Sequence, residues 1–397
     1  MSATKLTKEE AAKLLDYRRN LIVNTVRMKD TDRIPWIFSD GPWDAHDAGY
    51  TIEQEINDPH ILLESVLYNQ REYDFDSHMT PTQRNPMWIA QPFGQSTSGY
   101  KIDDETGMLH VDDVAHVYPE HYDIFLENPT KFWWSCFMAT KYPNLKAMKP
   151  SDLREVFRRQ NVQQQVHAET FERLGNEYGV PGLFYKAQFA SPFVEQAFDW
   201  FRGIKGTTQD LHRIPDKMEE CAKLYHEVYN KPALEAVKKH QLPNDPMRTV
   251  DLTTTMLSQT FMNRKQIEKY LWPYYEEFFN AVVEADATML IFSEGSIKPY
   301  WPYLKNIPAG HVFIHLEQDD IYESVEALPN IVFGGGMSTS LLGRGTPDEC
   351  AARAEQLIND LKGHIILSED KIMTYPEDAR PENLKAVTEV VHASARK

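Results

Sequence analysis

The chain alternates short apolar runs with longer segments whose apolar residues recur at helical spacing. Short apolar runs bounded by polar or turn residues are typical of buried strands. Eight segments have this pattern: RIPWIF (33–38), EYDFD (72–76), GLFYKAQF (182–189), RTVDLT (248–253), TMLIFS (288–293), HVFIHL (311–316), NIVFGG (330–335) and HIILS (364–368). Helical segments separate the later ones. This order predicts an α/β fold, a (β/α)8 TIM barrel, with a doubly wound open sheet as the alternative.

Two segments extend the predicted barrel. Residues 1–30 contain an amphipathic helix, introduced by a capping box between Thr7 and Glu10. Residues 77–180 interrupt the alternation with a long insertion rich in aromatic residues, which we expect to cover the barrel mouth. No repeat, low-complexity tract or Gly/Ser linker divides the chain, so residues 1–397 are predicted to form a single domain.

Composition narrows the range of functions. The formal net charge of −17 disfavours nucleic-acid binding, because phosphate contacts need clustered Lys and Arg. The three cysteines, Cys136, Cys221 and Cys350, are far apart and form no CxxC pair, which disfavours a disulfide framework or a thiolate zinc cluster. Neither a signal-peptide core nor a long apolar run is found, so we expect a cytoplasmic protein without a membrane partner.

Polar residues follow the predicted strands at the end where a TIM barrel places its chemistry. His315 and Glu317 are two residues apart and would share one face of a strand, and Glu294 ends the preceding strand. Zinc accepts such nitrogen and oxygen ligands, so these three residues are candidate metal ligands, with Asp251 and Asp370 as alternatives to Glu317. The competing interpretation is that they are solvated loop residues, with His315 bonded to a backbone carbonyl.

The C-terminal third carries two longer motifs. GGGMSTSLLGRGTPDECAARAEQLI resembles the Gly-rich strand end, Gly-Thr-Pro-Glu and helix of the uroporphyrinogen decarboxylase superfamily. GHIILSEDKIMTYPEDARPENLKAV resembles that superfamily's GFILSxGCxxPxxxPxENLKA. DRIPWIFSD and SPFVEQAFDWFRG resemble its opening strand and the segment after its third strand. The likeness covers about residues 20–395, is weakest in the insertion, and is strongest to the cobalamin-linked methyltransferase branch, whose fold is an α/β barrel.

The departures from that branch concern its zinc site. Members that methylate a thiol bind zinc through His-x-Cys, placed like Phe292-Ser293-Glu294 here, and through a later Cys, placed like Lys371. The resemblance therefore implies a site with Glu294 and His315 in place of thiolates, which is a harder Lewis acid suited to oxygen. Some members of this branch that demethylate methoxylated aromatics use Glu/His zinc sites, and this sequence is similar to them. By this resemblance we expect an O-demethylase that passes the methyl group to the cobalamin of a partner corrinoid protein.

The opening strand indicates the substrate class. Where the decarboxylase carries arginines for substrate carboxylates, this chain has aromatic and acidic residues. A pocket for a flat methoxyarene is predicted from five aromatic residues, each of which has core packing as its alternative: Trp36, Trp43, Phe184, Tyr185 and Phe189. Asp40 and His46 are candidates for proton exchange with the phenol. The competing functions are a decarboxylase-like lyase, a methylcobalamin:thiol methyltransferase and a non-catalytic binding barrel.

Overall fold

The structure is a computed structural model that describes residues 5–81, 87–93, 100–103, 107–240, 242 and 245–395. Its strands are β1 (Ile37–Phe38), β2 (Ser77–His78), β3 (Tyr100–Ile102), β4 (Leu109–Val111), β5 (Gln188–Phe189), β6 (Leu252–Met256), β7 (Met289–Ser293), β8 (Val312–His315), β9 (Val332–Met337) and β10 (Ile365–Glu369). Its α-helices are α1 (Lys8–Val26), α2 (Trp43–Asp47), α3 (Ile52–Asn57), α4 (Pro59–Tyr73), α5 (Met87–Ala90), α6 (His121–Glu127), α7 (Pro129–Phe132), α8 (Met138–Lys141), α9 (Pro150–Tyr178), α10 (Phe193–Gln196), α11 (Gly203–Arg213), α12 (Pro215–Tyr225), α13 (Lys231–Lys238), α14 (Arg264–Tyr270), α15 (Trp272–Glu284), α16 (Trp301–Leu304), α17 (Ile321–Ala327), α18 (Thr339–Arg344), α19 (Pro347–Leu361) and α20 (Pro381–Ser394).

Parallel strands form the centre of the molecule. Six of them make one sheet in the order β10-β9-β8-β7-β6-β5, and β1 pairs with β2 in parallel. Isolated parallel bridges join these two sheets: Trp36 with Leu367, His78 with Gly182, and Gly182 with Arg248. Mixed α/β structure with parallel sheets agrees with the prediction and is consistent with a TIM barrel. Within the described ranges the regular ladders do not close into a ring, so closure stays a prediction.

One apolar cluster is shared by the strands. It contains Ile37 of β1, Leu290 of β7, Phe313 of β8, Val332 of β9 and Ile366 of β10, all fully buried. Helix α1 contributes two further residues of this cluster, Ile22 and Val26. We call this group the central cluster. A second, larger cluster packs the outer faces of the strands against the helices.

The N-terminal helix begins as predicted. Thr7 Oγ1 accepts a hydrogen bond from Glu10 N, and the Glu10 carboxylate accepts one from Thr7 N, so the capping box is complete. Within the described residues, no helix combines the length and the apolar character needed to cross a membrane.

Three predicted strands are displaced, and the one predicted at 248–253 is observed as β6 at Leu252–Met256. The prediction of a strand at 72–76 was wrong, because α4 continues to Tyr73 and Asp74 then takes a left-handed conformation with φ 53° before β2 begins at Ser77. The predicted strand at 182–189 is interrupted: Gly182 forms single bridges, a turn follows it, and regular pairing starts only at Gln188.

The predicted insertion is partly integrated into the helix layer. The last 29 residues before Gly179 form α9, whose Val166, Leu174 and Tyr178 pack against Leu63 and Val66 of α4. Residues 82–86, 94–99 and 104–106 of the insertion lie outside the described residues. Whether the insertion covers the mouth of the strand assembly stays a prediction.

The middle of the insertion is held by aromatic contacts to later helices. Its π-helical turn Trp133–Phe137 packs beside the π-helical turn Ala197–Arg202, with the rings of Trp133 and Phe201 5.4 Å apart. Trp133 Nε1 also donates a 2.7 Å hydrogen bond to the hydroxyl of Tyr229, which lies in a third π-helical turn. The aromatic motif KFWWSCFM thus contributes to the packing of the helices after β5.

Candidate active site

Polar residues stand above the central cluster at the carboxyl ends of the strands. Side chains two residues apart on a strand share a face, so His315 follows Phe313, Ser368 follows Ile366, and Ser39 follows Ile37 in pointing inward. Glu369 joins them, because one of its carboxyl oxygens accepts a 2.8 Å hydrogen bond from Ser39 N. Ser39, His315, Ser368 and Glu369 are all fully buried, and we call them the polar floor.

His315 is held in place by a hydrogen bond and by a ring contact. Its Nε2 lies 2.8 Å from the backbone oxygen of Glu369, and because a carbonyl oxygen can only accept, Nε2 carries the hydrogen. The ring stacks on Phe292 at a centroid distance of 5.6 Å. Burial lowers the pKa of His315 to about 4. The imidazole is therefore neutral near pH 7, and its Nδ1 lone pair has no hydrogen-bond partner.

Gly334 makes this position of the imidazole available. It pairs with His315 across the β8–β9 ladder, and the imidazole crosses β9 to reach Glu369 on β10. A Cβ atom at position 334 would lie 2.7 Å from the Phe313 ring and 3.3 Å from His315 Cδ2. The absence of a side chain on β9 therefore determines where the histidine can lie.

Gly334→Ala is expected to destabilise the protein by about 1–3 kcal/mol, because the added methyl group overpacks a closed interior. Urea unfolding measures this loss. A crystal structure of the variant should show His315 Nε2 displaced from the Glu369 carbonyl oxygen. A variant with wild-type stability and an unmoved imidazole would contradict the role given to Gly334.

Glu369 and its neighbours leave several buried polar atoms free. Burial raises the pKa of the Glu369 carboxyl to about 8, although hydrogen bonds from backbone N–H groups oppose that change. Among the residues that the structure describes, Glu369 Oε1, Ser39 Oγ, Ser368 Oγ and His315 Nδ1 have no partner with hydrogen-bond geometry. Buried polar atoms are nearly always paired in native proteins, so this concentration at the floor indicates a place for a polar ligand or water.

The two carboxylates predicted to join His315 as metal ligands follow neighbouring strands. Glu317 Oε2 accepts a 2.5 Å hydrogen bond from Gly295 N, so it lies next to the segment that carries Glu294. Glu294 itself is exposed, and its backbone oxygen accepts a hydrogen bond from the Gln259 side chain. In the part of the chain that the structure describes, no three His, Cys, Asp or Glu side chains are arranged to hold a metal ion.

Of the three predicted zinc ligands, only His315 is already oriented as a metal ligand. A histidine that ligates a metal usually donates its other ring N–H to a carbonyl or carboxylate, and His315 does this through Nε2 while Nδ1 is free. Glu294 and Glu317 offer oxygen donors at adjoining strand ends, which suits zinc chemically. The donor types and their location fit the ion, but the arrangement of all three does not, so the zinc site stays a prediction.

Asp251 was a wrong choice of alternative ligand. It precedes β6 and so lies at the amino-terminal ends of the strands, where its Oδ2 accepts a 2.9 Å hydrogen bond from Thr288 N. There it lines a cavity of about 220 Å³ together with Arg248 and Asp286. Asp370, the other alternative, follows β10 at the carboxyl end, and its Oδ1 accepts a hydrogen bond from Thr339 N.

The two predicted proton-exchange residues are in different surroundings. Asp40 is buried, and both of its carboxyl oxygens are used: Oδ1 lies 2.5 Å from His78 Nδ1, and Oδ2 accepts a hydrogen bond from Thr80 N. His46 is exposed on α2 and is not part of the polar floor. Sequence reasoning did not select His78, because it placed the second strand before that residue.

The predicted aromatic pocket is not assembled as expected. Trp36 and Trp43 are core residues on the outer side of the strands, where their indole nitrogens donate to Thr388 Oγ1 and to the Ala379 backbone oxygen. Tyr185 lies in the turn before β5 and packs on Phe171, and Phe184 in the same turn packs against the central cluster. Phe189, half exposed at the carboxyl end of β5, is the one predicted aromatic that stands at that edge.

A further buried carboxyl was not predicted. Glu195, just after β5, accepts hydrogen bonds from the hydroxyl of Tyr275 and from Leu257 N and Ser258 N. It thereby ties the segment after β5 to the segment after β6, in which Gln259 bonds the backbone of Glu294. Burial raises the pKa of Glu195 to about 7 even though these hydrogen bonds favour the carboxylate.

The raised pKa of Glu195 predicts a pH-dependent stability. The folded protein holds this proton up to about pH 7, whereas the unfolded chain releases it near 4.5, so the associated stability is complete below 4.5 and is lost as pH rises through 7. The stability difference between wild type and Glu195→Gln should therefore change by up to about 3 kcal/mol between pH 5 and pH 8. Urea unfolding at both pH values measures it. The exposed Glu276→Gln serves as the control. If the stability difference from the wild type were the same at both pH values for Glu195→Gln, as it should be for Glu276→Gln, the raised pKa of Glu195 would be refuted.

A protein family and a solved structure are similar to this chain. Residues 249–394, from β6 to the last helix, match the family model described as uroporphyrinogen decarboxylase (URO-D). None of the curated proteins compared with the chain matches it. A solved structure described as a methyltransferase from Methanosarcina mazei superposes with a TM-score of 0.58 at 13% sequence identity, covering 95% of this chain and 98% of that one. The chain thus shares its fold with that methyltransferase, and its C-terminal part is similar in sequence to the uroporphyrinogen decarboxylase family.

Proposed function

We propose that the protein is a methyltransferase of the uroporphyrinogen decarboxylase superfamily that removes the methyl group of an aryl methyl ether. The acceptor is the cob(I)alamin of a separate corrinoid protein. The fold shared with a methyltransferase and the family match over residues 249–394 support the reaction class. The polar floor is the observation that carries the substrate class, because it offers free hydroxyl and imidazole groups to an oxygen-bearing ligand.

The distribution of thiols supports an external nucleophile. Cys136, Cys221 and Cys350 lie in helical segments and not at the strand ends. Burial raises the pKa of Cys221 to about 12 and that of Cys350 to about 11, so neither is a thiolate near pH 7. With no cysteine at the floor, displacement at the methyl carbon is assigned to the reduced cobalt of the partner.

The protein must then stabilise the leaving oxygen. Phenolate is a poor leaving group, and hydrogen-bond donors placed where its charge develops lower the barrier. Ser39 and Ser368 are such donors, since among the described residues neither buried hydroxyl makes an aligned hydrogen bond, although that of Ser39 is close enough to Glu369 to favour its carboxylate. Zinc would supply Lewis-acid polarisation of the same oxygen, but among the described residues only His315, and not Glu294 or Glu317, is arranged as a ligand, so no step is assigned to the ion.

The lyase alternative has less support from the residues. A decarboxylase of this superfamily would need cationic groups for substrate carboxylates. Arg33, the arginine before the opening strand, is buried and donates two hydrogen bonds to Asp76, so it is not available to a substrate.

Cobalt methylation tests the proposal. The purified protein is mixed with a corrinoid protein in the cob(I)alamin state and a panel of aryl methyl ethers, and the absorbance of methylcobalamin is followed. We expect methylation with at least one ether, and at least about a tenfold slower rate in Ser39→Ala, because one donor to the leaving oxygen is lost. The matched control is Ser394→Ala on the last helix. Release of carbon dioxide from a carboxylated substrate, or methylation of a thiol by methylcobalamin without ether cleavage, would replace the proposal with one of its alternatives.

A further inference from the structure

Asp40 and His78 form a buried pair beside the polar floor. They follow and end the paired strands β1 and β2, where Phe38 is in register with His78. The Asp40 Oδ1 to His78 Nδ1 distance is 2.5 Å, and the side chains are 1% and 0% exposed. The strand pairing therefore holds an aspartate and a histidine in contact without access to solvent.

Gln70 on α4 determines which hydrogens the imidazole carries. Its Oε1 lies 2.9 Å from His78 Nε2, and its amide nitrogen donates to Asp74 Oδ1 and to the Phe75 backbone oxygen. Both of those atoms are acceptors, so the amide cannot be turned the other way without losing its partners. Gln70 Oε1 can only accept, and His78 Nε2 must therefore be protonated.

The number of hydrogens on the imidazole and the carboxyl then determines the net charge of the Asp40–His78 pair. With a hydrogen on Nε2, the short contact between Nδ1 and Asp40 Oδ1 requires one more proton, because two lone pairs at that distance would repel each other. That proton belongs either to the ring or to the carboxyl. In both cases the pair carries no net charge, and the other titratable groups that face it are Asp44 on α2, Glu369 on β10 and, through Gln70, Asp74.

The pair is connected to the floor through the backbone. Asp40 follows Ser39, whose N–H donates to Glu369 and whose hydroxyl lies beside the Glu369 carboxyl without an aligned hydrogen bond. Thr80 adds a second anchor: its N–H donates to Asp40 Oδ2, and its hydroxyl donates to the Asp40 backbone oxygen. Fixing the Asp40 side chain therefore fixes the segment that presents Ser39.

We propose that Asp40 and His78 share one proton, with the ring orientation fixed by Gln70, and that this pair positions Ser39 for the reaction at the floor. His78 is thus a positioning residue, and Asp40 acts through its neighbour in the chain. The catalytic consequence rests on the proposed function, whereas the shared proton does not.

The protonation state is tested without an activity assay. In protein labelled with ¹⁵N-histidine, the His78 signals are identified by their absence in His78→Gln. We expect His78 Nε2 to carry a hydrogen near neutral pH, and the proton between Nδ1 and Asp40 Oδ1 to lie far downfield. An unprotonated Nε2, or the absence of a strongly downfield proton between Nδ1 and Asp40 Oδ1, would overturn the pair.

The positioning role is tested by a double-mutant cycle in the cobalt methylation assay. His78→Gln should lower kcat about tenfold and leave KM within about twofold, since orientation and not binding is lost. If His78 acts through Ser39, the effect of Ser39→Ala should largely disappear in the His78→Gln background. Additive effects would reject the positioning role. Absence of methyl transfer by the wild type would reject the proposed function and leave the ¹⁵N result standing.

Should His78→Gln fail to fold, Gln70→Met provides a second variant. It retains the side-chain length but removes the acceptor that fixes Nε2. His78 Nε2 should then lose its hydrogen, and kcat should fall in the same non-additive way with Ser39→Ala. A hydrogen retained on His78 Nε2 in Gln70→Met would show that Gln70 does not determine the state of the pair.

Discussion

Replacing Asp76 with asparagine is expected to lower the free energy of unfolding by about 3–5 kcal/mol, because it leaves buried guanidinium groups without their counter-charge. Asp76 is fully buried and accepts hydrogen bonds from Arg18 and Arg33, as well as from Trp36 N. Although burial opposes ionisation, the Arg33 guanidinium lowers the pKa of Asp76 below its ordinary value. Urea unfolding with constant m-value measures the loss.

Asp74→Asn is the matched control for Asp76→Asn. Asp74 also contacts Arg18, at 2.6 Å, but it is partly exposed and has one arginine partner among the contacts that the structure gives it. Asparagine also tolerates its left-handed backbone. We expect a loss of about 1 kcal/mol or less for a partly solvated pair. Equal losses in the two variants would show that burial of the arginines does not determine the effect.

Replacing His315 with alanine is expected to slow cobalt methylation by at least about a hundredfold, as the loss of a fixed polar group at a developing charge does in other enzymes. The imidazole is buried, oriented by the Glu369 carbonyl and open at Nδ1, so no neighbouring side chain can replace it. If zinc is part of the enzyme, the metal content of the purified variant should fall with the rate. Elemental analysis and the methylation assay measure the two effects.

His311→Ala is the control that distinguishes loss of the His315 imidazole from a general disruption of β8. His311 directly precedes β8, at the amino-terminal end, and its Nδ1 lies 2.8 Å from the Ala287 backbone oxygen. The methylation rate and the metal content of His311→Ala should stay close to those of the wild type. Joint replacement of Cys136, Cys221 and Cys350 should likewise leave any bound metal in place. Wild-type rate and metal content in His315→Ala would remove this residue from the site.

Buried parallel strands could be predicted from the sequence because both of their faces are covered. Such strands appear as continuous apolar runs, and the segments around β7, β8, β9 and β10 were located to within two residues. β1 lies at the end of the predicted strand 33–38, whereas β2 could not be located in this way, since it has only two residues. Tyr73 and Phe75 have high strand propensity, but α4 ends with the first and Asp74 turns the chain before the second.

The site was predicted only where strand position was sufficient. His315 lies at the floor because it ends a well-defined strand. Trp36 was wrongly predicted to face a pocket, because side chains alternate along a strand and Ile37, its neighbour, is the residue that points inward. Glu369 and His78 obtain their properties from contacts with distant segments, namely Ser39 and Gln70. Such contacts have no local signal in the sequence.

The short ladders around β1 and β2 have a consequence for how the molecule opens. These strands contribute few main-chain hydrogen bonds, and single bridges join them to β10 and to residue 182. Amide exchange at this seam should therefore occur through local fluctuations of lower energy than global unfolding, while β6 to β10 exchange last. The contacts of Asp76 with Arg18 and Arg33 would then hold the amino-terminal ends of β1 and β2 in place, at the opposite end of these strands from Ser39 and His78.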